Sequence, residues 1–126
     1  MKVKIIELPK ITDPRGNLTF LQNNDQIPFV IKRIFWIYDV PGGETRGGHA
    51  YKTQFELIVA LSGSFDVVVY DGISSKCYNL NRSYNALLIP PRIWRHMENF
   101  STNALSMHIS DVEYDPDDYI WDKYNL

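Results

Sequence analysis

Short runs of β-branched and aromatic residues recur along the chain, each bounded by turn-forming residues. Val3–Leu8 (V-K-I-I-E-L) mixes apolar and charged positions, and Asp13-Pro14-Arg15-Gly16-Asn17 then reads as a turn. Leu18–Gln22 predicts a second strand, followed by a polar loop over 23–26. Val30–Tyr38 alternates around a charged pair and ends at Val40-Pro41-Gly42-Gly43. A run starting at Tyr51 continues through Phe55–Leu61 to the turn Ser62-Gly63-Ser64. Phe65–Tyr70 (F-D-V-V-V-Y) has the two-residue period of a half-buried strand, and the Asp71-Gly72 after it signals a hairpin. Cys77–Leu80, Ala86–Ile89 and Leu105–Ile109 complete the set, and only Pro116–Asn125 has room for a turn or two of helix. Many short strands with frequent turns predict an all-β barrel or double sheet of about eight to eleven strands, since closure removes exposed edges.

Composition narrows the class. With 126 residues, no repeats and no linker, one domain over 1–126 is expected. A net charge of −2 lacks the basic excess of a nucleic-acid surface. No apolar run approaches the roughly 18 residues of a membrane span, and Met1-Lys2-Val3-Lys4 does not open a secretory leader, so a cytoplasmic location away from membranes is expected. The single Cys77 excludes an internal disulfide and a cysteine-based metal site.

The stretch Arg46–Gly63 carries the candidate chemistry. His49 and Tyr51 are two apart, so on a strand they project to one face. Glu56 and Gly63 follow in the same frame. An imidazole takes and returns protons near neutral pH, whereas a phenol is a donor or relay. Arg46, Arg15, Lys32, Arg33 and Arg82 are candidate phosphate clamps, because guanidinium forks match phosphate oxygens in pairs; solvated strand faces are the plain alternative. Trp36, Tyr38, Tyr84 and Trp94 are candidates for stacking on a sugar or base, with core packing as the equal alternative. His96 follows the turn Pro90-Pro91, and His49, Glu56 and His96 together would suffice for a divalent metal. His108 sits in an apolar strand and is either inward-facing at the site or a core histidine.

The frame His49-x-Tyr51, then Glu56 and Gly63, resembles the first motif of the cupin barrel, with tyrosine in place of its second histidine. Pro90 to His96 resembles the second motif, with Ile93 in place of its glycine. Several segments together look like the sugar 3,4-ketoisomerases that act on dTDP-4-keto-6-deoxyglucose. These are Asp13-Pro14-Arg15-Gly16, Ile31-Lys32-Arg33, Arg46-Gly47-Gly48-His49-Ala50, Leu61-Ser62-Gly63-Ser64, Trp94 and Tyr114–Ile120. The resemblance implies an RmlC-like jelly-roll cupin without cofactor or metal, acting on a dTDP-linked keto sugar. It also implies a homodimer, in which N-terminal strands ahead of the motif cross to the partner. The implied reaction moves a keto group between C4 and C3 through an enediol, in making deoxy sugars for surface glycans or antibiotics. His49 would be the main acid/base, Tyr51 a donor or relay and Glu56 an orienter or second base. Arg15, Arg33 and Arg46 would contact pyrophosphate, with Trp36, Arg82, Trp94 and His96 as further substrate contacts. The chain departs from the family pattern at Tyr51, at Phe35-Trp36 (where a tyrosine is usual) and at Glu56 (where glutamine is usual). Tyr38 is the candidate to supply the missing hydroxyl. These departures leave open a catalytically altered, nucleotide-sugar-binding cupin, or a metal-dependent one using His49, Glu56 and His96.

Overall fold

Alternation decides which way each strand faces. In the strand Phe65–Tyr70, Phe65, Val67 and Val69 are buried while Asp66, Val68 and Tyr70 are half-exposed, as the two-residue period requires. A computed structural model describes residues 2–23 and 25–126. The chain runs through β1 (Lys4–Glu7), β2 (Lys10–Asp13), β3 (Gly16–Thr19), β4 (Arg33–Ile37), β5 (Arg46–Tyr51) and β6 (Glu56–Ser62). It continues through β7 (Phe65–Tyr70), β8 (Ser75–Leu80), β9 (Asn85–Ile89), β10 (Trp94–Glu98), β11 (Leu105–Ser110) and β12 (Tyr119–Ile120). A 3₁₀ turn, Pro116–Asp118, precedes β12.

Two five-stranded antiparallel sheets form, in the orders β1-β9-β6-β11-β4 and β12-β5-β10-β7-β8, while β2 and β3 pair only with each other among the described residues. The non-sequential strand orders are those of the expected jelly roll. One core lies between the sheets, with Ile58, Ala60, Leu87 and Ile89 facing Phe65, Val67, Val69 and Met97. A second apolar layer, on the outer side of the first sheet, packs Leu57, Val59, Leu88 and Ile109 beneath Leu8, Ile27 and Phe29. Each such fully buried side chain contributes about 1.5–3 kcal/mol of burial free energy.

Several elements differ from the sequence pattern. The expected run from Tyr51 is two strands, β5 and β6, broken at 52–55. Lys10–Asp13 and Trp94–Glu98 are strands although charged side chains obscure their period. The expected helical turn at 116–125 shrinks to three residues, where Pro116 starts the 3₁₀ turn and the Asp115 side chain accepts from the Asp117 amide. Residue 24, within the expected polar loop over 23–26, lies outside the described residues.

Candidate active site

Strand β5 carries His49 and Tyr51 into the space between the sheets. Their rings meet edge to face with centroids 4.7 Å apart. His49 is 7% exposed, and among the described residues neither its Nε2 nor the Tyr51 hydroxyl has a hydrogen-bond partner. Two buried polar atoms left unpaired side by side are costly and uncommon in structural cores. Burial, with the positive Arg95 nearby, pushes the His49 imidazole down to about 3, so it stays neutral over the physiological range. Burial and the Glu56 carboxylate push the Tyr51 hydroxyl above the ordinary phenol range, which keeps it a proton donor.

Beneath this pair lies a fully bonded polar network. Arg95, next to His49 across the β5–β10 ladder, donates from Nε to Glu56 Oε1 and from Nη2 to Glu56 Oε2, both at 2.8 Å. Its Nη1 donates to the Gly47 carbonyl at 2.8 Å. His108 Nδ1 donates to Glu56 Oε2 at 3.2 Å and its Nε2 accepts from the Ser106 hydroxyl at 2.9 Å, which defines a neutral tautomer. Burial lowers His108, against the opposing pull of Glu56. Burial alone would raise Glu56, but Arg95 and the His108 hydrogen bond together hold its carboxyl below the usual range. Both Glu56 oxygens are therefore occupied, which suits an orienting group and not a second base.

Aromatic rings pack around this pair. Phe35 stacks on His108 with centroids 4.5 Å apart. From the C-terminal segment, Tyr119 approaches His49 at 4.8 Å and Tyr51 at 4.9 Å, and Trp121 approaches His49 at 5.6 Å. Arg33, at the start of β4, lies over Phe35 and Tyr114, and its buried Nε and Nη2 have no partner among the described residues.

The other expected residues are scattered, and the reason is strand parity. Arg95 and Met97 take the inner face of β10, so Trp94 and His96 turn to the outer face, where His96 meets Glu98 at 3.4 Å. The metal set His49, Glu56 and His96 is therefore not brought together. On β4, Arg33, Phe35 and Ile37 face inward, which puts Trp36 outside at 60% exposure and leaves Tyr38 beyond the strand's end on the surface. Tyr38 thus does not supply a hydroxyl beside His49. Trp36, Tyr38 and the exposed Arg46 instead share a surface groove of about 220 Å³. Arg15 sits at the tip of the β2–β3 hairpin, paired with Asp13 at 2.8 Å. Arg82 is in the turn before β9 and donates to the Asn81 carbonyl. Arg95, Phe35, Tyr119 and Trp121 are not among the expected site residues, although the segments Pro90–His96, Phe35-Trp36 and Tyr114–Ile120 contain the first three.

Residues 1–126 match the family model described as FdtA: WxcM-like, C-terminal. The chain belongs to this family. A curated relative, the TDP-4-oxo-6-deoxy-α-D-glucose-3,4-oxoisomerase of Aneurinibacillus thermoaerophilus, is 38% identical over 120 residues, covering 95% of this chain and 86% of the relative. A crystal structure of a 3,4-ketoisomerase from Helicobacter canadensis superposes with a TM-score of 0.93 at 38% identity, covering 97% of this chain and 92% of that one. The QdtA 3,4-ketoisomerase of Thermoanaerobacterium thermosaccharolyticum, a histidine-to-asparagine variant in complex with TDP-4-keto-6-deoxyglucose, gives 0.93 at 31% identity, covering 95% and 87%. The family resemblance read from the sequence is thereby borne out, and with it the cupin-type fold.

Proposed function

We infer that this protein is an isomerase, a 3,4-ketoisomerase that moves the keto group of a dTDP-linked 6-deoxy sugar between C4 and C3, acting as a single cupin domain over 1–126. The characterised relatives support the reaction. The observation in this molecule that carries the reading is the unpaired His49 Nε2 beside the unpaired Tyr51 hydroxyl, buried together over a saturated ionic network.

The steps need only proton transfer. His49 Nε2 takes the C3 proton, which the adjacent ketone acidifies; the C3–H electrons form the C3=C4 double bond and the C4 carbonyl becomes an enediolate oxygen. The Tyr51 hydroxyl donates to that oxygen, and Arg33, with two unpaired guanidinium nitrogens among the described residues, adds positive charge beside it. The C3 hydroxyl proton then passes through the Tyr51 hydroxyl to the C4 oxygen, the O–H electrons form the C3 carbonyl, and the C3=C4 electrons take up a proton from the imidazolium at C4. No oxidant is consumed. A low imidazole pKa makes His49 a weak base before substrate binds, and the negative enediolate stabilises the imidazolium only as it forms. Glu56 acts as an orienter through Arg95. Arg46 is the pyrophosphate contact best supported by position, with Trp36 and Tyr38 flanking it, while Arg33 is assigned to the enediolate.

A homodimer is part of this reading. An isolated two-stranded hairpin is marginal in water, yet β2–β3 exposes Ile11 (55%) and Leu18 (56%), and β4 is a free sheet edge with apolar Ile34 and Trp36 outward. Exchange of N-terminal strands between subunits would cover both, and Arg15 as a pyrophosphate contact depends on that exchange. A nucleotide-activated sugar as substrate supports a cytoplasmic location.

The test is conversion of TDP-4-keto-6-deoxyglucose followed by NMR. A 3-keto product that forms with wild type and not with His49→Asn supports the reading. Nucleotide binding without conversion would make the protein a binding member of the family.

A further inference from the structure

The mechanism uses His49 and Tyr51 but leaves the C-terminal segment unexplained. Strand β12 pairs with the free edge of β5, with Tyr119 opposite Tyr51 and Ile120 opposite Ala50. Asp118 pins it there: its Oδ1 accepts from the Thr53 amide at 3.1 Å and the Thr53 hydroxyl at 2.8 Å, and its carbonyl accepts from the Lys52 amide at 2.7 Å. Beyond the strand, Trp121 stacks on Tyr119 (5.1 Å between centroids, 13° between planes) while 68% exposed. A tryptophan so exposed does little for the core. Its ring nevertheless stands edge-on to His49.

We propose that residues 118–121 form a clamp whose stacked Tyr119 and Trp121 rings hold the His49 imidazole in its working orientation and shut it off from water. The proposal rests on His49 being the acid/base of the reaction, and it makes Tyr119 and Trp121 positioning residues. Tyr119 touches both catalytic rings, so it sets their mutual angle; Trp121 braces Tyr119 from the solvent side. Asp118 couples the clamp to the loop after β5, so β5 and its cover move as one unit.

The titratable groups around His49 come from six elements: Arg33 of β4, Tyr51 of β5, Glu56 of β6, Arg95 of β10, His108 of β11 and Tyr119 of β12. Trp121 carries no charge. Removing its ring changes the burial of His49 while leaving that set of charges in place.

The experiment is histidine-selective NMR titration of the full chain, comparing wild type, Trp121→Ala and Trp121→Phe, with the His49 signal assigned through His49→Asn. Trp121→Ala should move the His49 midpoint up by about one unit or more, toward the ordinary value. His96 and His108 should not follow, and Trp121→Phe should restore the wild-type midpoint. In activity, Trp121→Ala should lower kcat more than it raises KM and move the acid limb of the pH profile the same way. Should Trp121→Ala fold poorly, Thr53→Ala, which loosens the Asp118 anchor, should give a smaller shift of the same sign. An unchanged His49 midpoint in folded variants overturns the clamp. A shifted midpoint in a protein whose wild type converts no keto sugar upholds the clamp and overturns the isomerase assignment instead.

Discussion

Arg95 occupies the volume that a side chain on residue 47 would need: a Cβ built on Gly47 falls far inside van der Waals contact of Arg95 Nη1. Gly47 also has φ +75°, where a side chain is strained in any case. The guanidinium cannot swing aside, because three of its nitrogens are bonded to Glu56 and to the Gly47 carbonyl. Gly47→Ala is therefore expected to cost at least ~3 kcal/mol, combining backbone strain with disruption of a buried ion pair. Urea denaturation measures it.

The same ion pair sets an acid limit. Breaking it with Arg95→Met leaves a buried, unpaired Glu56 and should cost about 3–5 kcal/mol. The double variant Arg95→Met/Glu56→Gln should lose less than the two single losses added, because neither charge is then stranded. Since the folded carboxyl of Glu56 lies below its ordinary value of 4.5, the pair's stabilisation is complete above that pH and fades as pH falls below it.

His49 gives a second, separable pH effect. Its folded value of about 3 lies below the ordinary 6.5, so between those two the unfolded chain binds the extra proton. Stability should decline as pH falls from about 6.5 towards 3, in parallel with a contribution of the same sign from His108. His49→Asn should flatten part of that slope. Thermal melts in buffers across this range measure it.

Tyr51 separates catalysis from folding. Tyr51→Phe keeps the ring contacts with His49 and Tyr119 but deletes an unpaired buried hydroxyl. Stability should stay level or rise, since no hydrogen bond is lost. If the hydroxyl donates to the enediolate, kcat should fall about 10²–10³-fold. Steady-state kinetics and a melt on the same sample check both halves. Tyr51→His should keep or raise activity.

The two-residue period made the β architecture and the shared face of His49 and Tyr51 legible from the sequence. It did not reveal which face of β10 turns inward. Arg95 and His96 are both polar, and Arg95 is the one buried because Glu56, on the opposite sheet, pairs with it. A pairing between distant segments leaves no local period to read. The same parity turns Trp36 to the outer face, because Phe35, its neighbour, stacks on His108 inside. Tyr119 and Trp121 reach His49 only because Asp118 ties the chain's end to Thr53, a contact that no local pattern encodes.

Assembly is the next expectation. If the β2–β3 hairpin and the β4 edge meet their counterparts in a second copy, sedimentation equilibrium should give twice the chain's mass. Trp36→Glu, on the outer face of β4, should shift the equilibrium to monomer at micromolar concentration. A monomeric wild type would remove the strand exchange.

Solvent deuterium incorporation tests the central chemistry most directly. Wild-type protein incubated with TDP-4-keto-6-deoxyglucose in D₂O should place deuterium at the sugar carbons that exchange through the enediol, C3 and C4. His49→Asn should place none while still binding TDP. Deuterium appearing equally fast with the asparagine variant, or not at all with wild type under saturating substrate, would contradict the assignment of His49 as the group that moves the proton.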